Sequence, residues 1–166
     1  MRPKLASPAL QSPPAVAGAG TSPFPGAKSP IASLGRILYA EDDLEAHPLW
    51  SLTLTRAGYS VKLEEDGLRA WDSLRSGEFD MLVTDNDMPG MTGLELAAKA
   101  RLEGMRLPII LASGSIHLLD VADYGWLDFA TLLKKPFSPD RLIEAVAKAL
   151  CSSSGESRGA GVPALA

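Results

Sequence analysis

Polar residues that could act on a phosphoryl group occur at four places: the acids Glu41, Asp42 and Asp43, the pair Asp85 and Asp87, Ser113, and the adjacent Lys134 and Lys135. Three carboxylates brought together would form an oxygen-rich site, which suits a hard cation such as Mg²⁺ better than zinc. A hydroxyl and a lysine can hold phosphoryl oxygens. A carboxylate can itself attack phosphorus and form an aspartyl phosphate. The residue types therefore favour phosphoryl transfer to an aspartate.

Short apolar runs alternate along the chain with segments whose apolar residues recur at helical spacing. We predict strands over 36–40, 59–63, 80–84, 107–112 and 129–133. We predict helices over 44–57, 68–75, 94–102 and 138–150, and a weaker helix over 116–124. Continuously apolar strands between helices indicate a parallel sheet covered on both faces. The sequence therefore predicts an α/β fold, a doubly wound (βα)5 sandwich around a five-stranded parallel sheet.

This architecture would bring the polar residues together. The acids at 41–43 follow the first predicted strand, Asp85 follows the third, Ser113 the fourth, and the two lysines come just after the fifth. In open parallel sheets, binding sites form at the carboxyl ends of the strands, near the point where the strand order reverses. We therefore expect one site at that edge.

Composition divides the chain into three parts. Residues 1–35 hold 7 of the 13 prolines and are interpreted as a disordered Pro/Ala-rich leader; 36–150 form the domain, and 151–166 a flexible tail. The net charge is −4, and 19 acids outnumber 12 bases within 36–150. An acidic body argues against nucleic acid as a partner. No run reaches the roughly 18 apolar residues of a membrane span, so we expect no membrane partner.

Four segments resemble the receiver domain of two-component response regulators: RILYAEDD, DMLVTDNDMPGMTGLEL, LPIILASGS and LLKKPFSPDRL. Separations of 43, 28 and 22 residues, from Asp42 to Asp85, then to Ser113 and to Lys135, fit the same pattern. The resemblance covers 36–150 and implies a flavodoxin-like or CheY-like, apparently stand-alone receiver. It implies that Asp85 is the phosphoacceptor.

The resemblance also assigns roles to the surrounding residues. Glu41, Asp42 and Asp85 would bind Mg²⁺ or Mn²⁺, together with the backbone carbonyl of Asp87. Ser113 would hydrogen-bond one phosphoryl oxygen and Lys135 would pair with another.

The residues next to Lys135 need separate interpretation. The resemblance implies a cis bond between Lys135 and Pro136. Because successive strand residues face opposite sides, only one of the two adjacent lysines can readily reach the site. The resemblance places a lysine directly before the proline, which selects Lys135, and we interpret Lys134 as a solvated cation.

Two features depart from the family pattern. Leu132 stands where many receivers have an aromatic residue, so we expect signalling not to depend on an aromatic rotamer at that position. The segment YGWLDFA is the second departure. We interpret its Tyr124 and Trp126 as packing residues, with a partner surface as the alternative.

The resemblance implies a cytoplasmic signalling domain, not an enzyme in the usual sense, that catalyses its own phosphorylation and dephosphorylation. It would take the phosphoryl group from a sensor histidine kinase or a histidine phosphotransfer protein and signal through altered partner binding, with a homodimer as one possible output. Two alternatives stay open. One is a phosphohydrolase of the haloacid-dehalogenase type, in which Asp85 and Asp87 form the DxD motif. The other is a pseudo-receiver, an interaction module that is not phosphorylated.

Overall fold

The computed structural model describes residues 33–115 and 124–156, with side chains described through Ser153. The strands are β1 Arg36–Ala40, β2 Ser60–Glu64, β3 Met81–Asp85, β4 Ile109–Ser113 and β5 Thr131–Lys134. The α-helices of these ranges are α1 His47–Arg56, α2 Gly67–Ser76, α3 Gly93–Leu102 and α4 Pro139–Glu156. None of them combines the length and the apolar character needed to cross a membrane.

All neighbouring strands pair in parallel, in the order β2-β1-β3-β4-β5. The predicted doubly wound α/β sandwich is therefore confirmed. The weak helix predicted over 116–124 lies outside the described residues, except for Tyr124 at its end.

Two apolar cores lie on the two faces of the sheet. Along β1, Ile37 and Tyr39 pack into the core beneath α1 and α4. Leu38 and Ala40 pack into the core beneath α2 and α3. This alternation follows from the two-residue period of a strand. Because β3 and β4 are buried along their whole lengths, they carry the continuous apolar runs seen in the sequence.

Several element ends differ from the prediction by one to three residues. Asp85 and Ser113 are the last residues of β3 and β4, and not the first residues of the following loops. The largest difference is at α4, which continues to Glu156 and so includes the start of the predicted tail. The chain has no glycine or proline between Pro139 and Gly155 to stop the helix. The Ser152 hydroxyl donates a hydrogen bond to the Lys148 carbonyl at 3.0 Å, which is consistent with the longer helix.

The first turn of α3 is fixed directly behind the end of β3. Thr92 and Glu95 form a capping box: the Glu95 N–H donates to Thr92 Oγ1 at 3.2 Å, and the Thr92 N–H donates to Glu95 Oε2 at 2.9 Å. The next residue, Gly93, is buried against the Asp85 carbonyl group. These contacts fix the start of α3 relative to the end of β3.

We expect Gly93→Ala to lower the free energy of unfolding by about 1–3 kcal/mol, the usual effect of overpacking a filled site. An alanine methyl would overlap the Asp85 carbonyl oxygen and lie 2.9 Å from Leu111 Cδ1. Urea unfolding followed by circular dichroism measures the change. Gly125→Ala is the matched control, because a Cβ there meets nothing within 4 Å. Equal unfolding midpoints for the two variants would contradict this account of α3.

The packing interpretation of Tyr124 and Trp126 is wrong. Their exposed fractions are 38% and 55%, whereas Leu127 is fully buried. A 3-10 turn, Gly125–Leu127, carries Trp126 and Leu127, with Tyr124 as its N-cap and Asp128 after it in the left-handed region at φ 48°. A short turn can point only some of its side chains toward the core. In this turn the buried side chain is that of Leu127.

The Arg101 side chain joins the end of α3 to the chain that leads into β5. Its Nε donates to the Leu127 carbonyl at 2.8 Å, and one terminal nitrogen donates to the Asp128 carbonyl at 3.2 Å. The other terminal nitrogen donates to the carbonyls of Met105 and Leu107, both at 2.9 Å. A guanidinium can serve four acceptors because it carries five N–H groups. Four backbone carbonyls near the surface are satisfied in this way.

Candidate functional site

The strand order reverses at β1, which has β2 on one side and β3 on the other. Glu41 directly follows β1, and Asp85 ends β3. Ala40 is paired with Thr84, so the next residue of each strand, Glu41 and Asp85, reaches the same height at the carboxyl edge of the sheet. The topology therefore places both carboxylates where doubly wound folds form their ligand sites.

Glu41, Asp42 and Asp85 form an acidic cluster. Each contributes a carboxylate oxygen, and these oxygens lie within 4.8 Å of one another. Glu41 and Asp85 are buried and Asp42 is exposed, so the cluster opens to solvent on one side. An all-oxygen set with an open side fits a hard divalent cation, which keeps part of its water shell in protein sites.

Lys135 reaches two members of this cluster from the other end of the chain. Its Nζ donates to Asp85 Oδ2 at 2.7 Å and to Glu41 Oε2 and Oε1 at 2.8 and 3.1 Å. The lysine side chain is 28% exposed, whereas those of Glu41 and Asp85 are 3% and 6% exposed. One ammonium group therefore balances two carboxylates that are nearly removed from water.

Burial and charge act in opposite directions on this network. Burial raises the pKa of Glu41, and the hydrogen bond and charge of Lys135 offset only part of that effect. For Lys135, burial acts to lower the pKa, but hydrogen bonds and charges from Asp85 and Glu41 outweigh it and raise the pKa. The lysine therefore stays protonated, as a partner for anionic oxygens must.

The phenol of Tyr39 lies beneath the same network. Burial, and then the charges of Glu41 and Asp85, raise its pKa. Its hydroxyl is buried with no hydrogen-bond partner among the residues that the structure describes. Tyr39 is therefore a neutral group at the site.

The loop after β3 is fixed by Asn86, a residue that the sequence analysis did not single out. Its N–H donates to the Ala112 carbonyl at 2.8 Å, and its Oδ1 accepts from the Leu94 N–H at 3.3 Å. Its Nδ2 donates to Asp87 Oδ1 at 3.2 Å. The Asp87 side chain is exposed, and its N–H donates to Asp85 Oδ1 at 3.2 Å. The structure thus places the Asp87 backbone, and not its carboxylate, next to Asp85.

Ser113 ends β4 beside β3, one residue beyond the pairing of Asp85 with Ala112. It is fully buried, and its Oγ accepts from the Ser115 N–H at 3.0 Å. Its hydroxyl hydrogen can therefore still donate.

The two adjacent lysines are separated as the strand period requires. Lys134 is exposed at the end of β5, and Lys135 points to the acids. The bond between Lys135 and Pro136 is cis. These positions agree with the sequence analysis, and the roles of the residues in phosphoryl transfer stay predictions.

A cleft of about 550 Å³ opens above the acidic cluster, and the aromatic residues Trp50 and Phe137 line part of it. Trp50 stacks on Tyr39 with ring centroids 6.1 Å apart and an interplanar angle of 14°. It also contacts Phe137, at 5.1 Å and 31°. Trp50 and Trp71 are both buried.

His47, the first residue of α1, contacts the chain that follows β1. Its Nε2 donates to the Glu41 carbonyl at 2.6 Å. Residue spacing in the sequence did not predict this contact, because the His47 ring folds back from α1 onto the loop that follows β1.

Comparison with known proteins decides the family. The response regulator receiver domain model matches residues 37–147, a range that includes every residue of the cluster and the cleft. The chain belongs to the response regulator receiver family. The receiver is 34% identical over 128 residues to a chemotaxis protein CheY homolog of Campylobacter jejuni, a match that covers 73% of this chain and 96% of that protein.

Two further comparisons agree. The receiver is 33% identical over 118 residues to the response regulator receiver protein CpdR of Brucella abortus, covering 71% of this chain and 98% of the relative. A CheY-like receiver domain protein from Methanospirillum hungatei has the same fold, with a TM-score of 0.67 at 23% identity over 75% of this chain and 99% of the other.

The family is one of signalling domains, so the two alternative functions are not favoured. The DxD segment of this receiver begins at the end of β3, the third strand, and its second aspartate is exposed and bound to Asn86. That arrangement differs from a hydrolase site in which the second aspartate handles the proton. A pseudo-receiver would not need the lysine and the three acids that meet here.

Proposed function

We propose that Asp85 accepts a phosphoryl group from a sensor histidine kinase or a histidine phosphotransfer protein in a two-component phosphorelay. One observation carries the proposal: Lys135 Nζ lies 2.7 Å from the buried Asp85 carboxylate and also contacts Glu41, which begins the acidic cluster. A carboxylate at the floor of a cleft, next to a fixed cation, is placed to attack phosphorus. Membership of the receiver family supports the same role.

In this mechanism an Asp85 oxygen attacks phosphorus in line with the leaving group. Lys135 is already held against that carboxylate, so its ammonium can pair with a phosphoryl oxygen without a large movement. The Ser113 hydroxyl can donate to another oxygen from the end of β4. The same groups would hold the acyl phosphate while water removes it. Both phosphorylation and dephosphorylation therefore use the domain's own residues.

The proposal includes Mg²⁺, or Mn²⁺, bound by Glu41, Asp42 and Asp85 and by the backbone carbonyl of Asp87. The three carboxylates supply the oxygen ligands that these ions prefer. When bound, the ion would offset the negative charge of the phosphoryl group and the acids. Because Asp42 is exposed and Glu41 is buried, Asp42 is the ligand that an entering ion would meet first.

The output of phosphorylation would be a change in partner binding. The added charge on Asp85 would draw the Ser113 hydroxyl and bias a two-state surface formed by β4, β5 and their neighbours. Leu132 is half-buried on β5 and paired with Leu111. Signalling without an aromatic rotamer at this position stays a prediction. We propose that the protein acts in the cytoplasm. We also propose that formation of a homodimer is one of the outputs of phosphorylation.

The direct test is the mass of the intact protein after incubation with a small phosphodonor. We expect one phosphoryl group per chain in the presence of Mg²⁺, and little or none when a chelator replaces the ion. The adduct should be released by hydroxylamine, which cleaves acyl phosphates but not phosphoserine. An adduct that resists hydroxylamine, or the absence of any adduct with Mg²⁺ bound, would contradict the proposal.

A further inference from the structure

The cleft above Asp85 has two chemically different walls. One wall carries the three acids of the cluster, Asp43 and Lys135. The other is apolar and consists of Ala46, Trp50, Pro136 and Phe137. The charged wall accounts for holding a phosphoryl group and a metal ion. The apolar residues carry no charge, and their one polar side-chain group is the indole N–H of Trp50, a residue that is 8% exposed. This part of the cleft therefore points to a different part of the ligand.

The aromatic part of this wall is preformed. Trp50 is 8% exposed, is stacked on the fully buried Tyr39, and contacts the ring of Phe137. Phe137 is half-buried, so part of its ring is supported by Trp50 and part is free to meet a ligand. A ring held in place loses little conformational freedom when it binds something.

In-line transfer fixes where the leaving group must be. The attacking and leaving atoms lie on opposite sides of phosphorus. Asp85 is buried at the floor of the cleft, so the leaving group lies toward the open side. The lining of that cleft includes apolar residues, Phe137 among them, as well as the acids.

We propose that Phe137, supported by Trp50, is a specificity-determining residue that binds the leaving group of the phosphodonor and favours a flat, neutral imidazole over a small anion. The inference rests on the proposed function. A phosphoimidazole carries a proton on its second ring nitrogen. The Asp85 oxygen forms its bond to phosphorus as the P–N bond breaks, the electron pair goes to the ring nitrogen, and neutral imidazole leaves. Acetyl phosphate instead releases acetate, which the acids of the cleft repel and which cannot stack on a ring.

The test compares two donors, phosphoimidazole and acetyl phosphate, on the full chain with Mg²⁺ at donor concentrations well below saturation. The measured quantity is the ratio of the two phosphorylation rate constants, followed by intact mass. We expect Phe137→Leu to lower this ratio by about threefold to tenfold, in the range of an aromatic stacking contribution. Phe137→Tyr keeps a ring and is expected to keep the ratio. Phe79→Leu is the matched control, because Phe79 is also half-buried but does not line this cleft.

The outcomes separate the two proposals. If Phe137→Leu slows both donors equally, the residue only positions Lys135 and Pro136, and the inference is wrong. It is also wrong if neither rate changes, or if Phe79→Leu shifts the ratio as much. If neither donor labels the wild-type protein, the proposed function fails and this inference fails with it. If the wild type is labelled but the ratio of the two rate constants is unchanged in Phe137→Leu, the inference about Phe137 is wrong and the proposed function stands.

Discussion

Replacing Asp85 with asparagine is expected to abolish the phosphoryl adduct completely. The amide keeps the shape of the carboxylate but lacks its negative charge, so it cannot act as the nucleophile. The fold is expected to persist, because Lys135 keeps its contacts with Glu41 at 2.8 and 3.1 Å. Intact mass after incubation with Mg²⁺ and a phosphodonor measures the loss, and circular dichroism checks the fold.

Asp87→Asn is the matched control for this prediction. Asp87 is two residues away, is exposed, and meets Asp85 through its backbone N–H, a contact that an asparagine retains. The variant is therefore expected to be phosphorylated like the wild type. Rapid phosphate release that Asp87→Asn abolishes, with the adduct trapped, would instead indicate a hydrolase in which Asp87 is the general acid or base. An adduct that survives in Asp85→Asn would place the phosphoacceptor elsewhere.

Lys135→Met is expected to lower the free energy of unfolding by about 3 kcal/mol at neutral pH without Mg²⁺, because it leaves buried carboxylates without their cation. The carboxylates concerned belong to Glu41 and Asp85, which are 3% and 6% exposed. Urea unfolding in a buffer with chelator measures the change. Lys134→Met removes the same charge from an exposed neighbour, so we expect a change within about 0.5 kcal/mol.

The effect of Lys135→Met should depend on pH in a defined direction. In the folded protein the pKa of Glu41 is raised by burial, so the folded state takes up a proton at a pH where the unfolded chain remains ionised. Stability therefore rises as the pH falls through this raised pKa toward the ordinary value of about 4.3. Without Lys135 the pKa of Glu41 rises further. The loss of unfolding free energy in Lys135→Met, relative to the wild type, therefore becomes smaller as the pH falls. Equal losses in Lys135→Met and Lys134→Met at neutral pH, or a deficit that grows in acid, would contradict this account.

Sequence patterns were sufficient for the sheet and the location of the site. Each strand was readable as an apolar run, and the site followed because parallel strands end at one edge. Element ends were less accurate, since they depend on hydrogen bonds that a pattern does not contain. The α4 helix, for example, runs past Leu150 with Ser152 bonded to the Lys148 carbonyl. Trp126 was misread because an aromatic side chain looks the same in a sequence whether it faces the core or the solvent.

Contacts between distant residues were the least predictable part of the site. Lys135 and Glu41 are 94 positions apart, and family resemblance, not periodicity, selected the lysine. Asn86 gave a weak signal as a short polar side chain between two aspartates, which suits bonding to nearby backbone groups. No sequence pattern predicts the contacts among Tyr39, Trp50 and Phe137, because β1, α1 and the segment after β5 are distant in the chain and meet only in the folded structure.

The Arg101 side chain has a consequence for how this part of the chain can vary. All four of its carbonyl partners are backbone groups, on Met105, Leu107, Leu127 and Asp128. The hydrogen bonds therefore require a particular path of the main chain and place no demand on those four side chains. Leu127 is fully buried, Met105 and Leu107 pack partly buried against the core, and Asp128 lies at φ 48°. Constraints on these four side chains therefore come from packing and backbone conformation, whereas Arg101 fixes the path of the segment without adding a requirement on their identity.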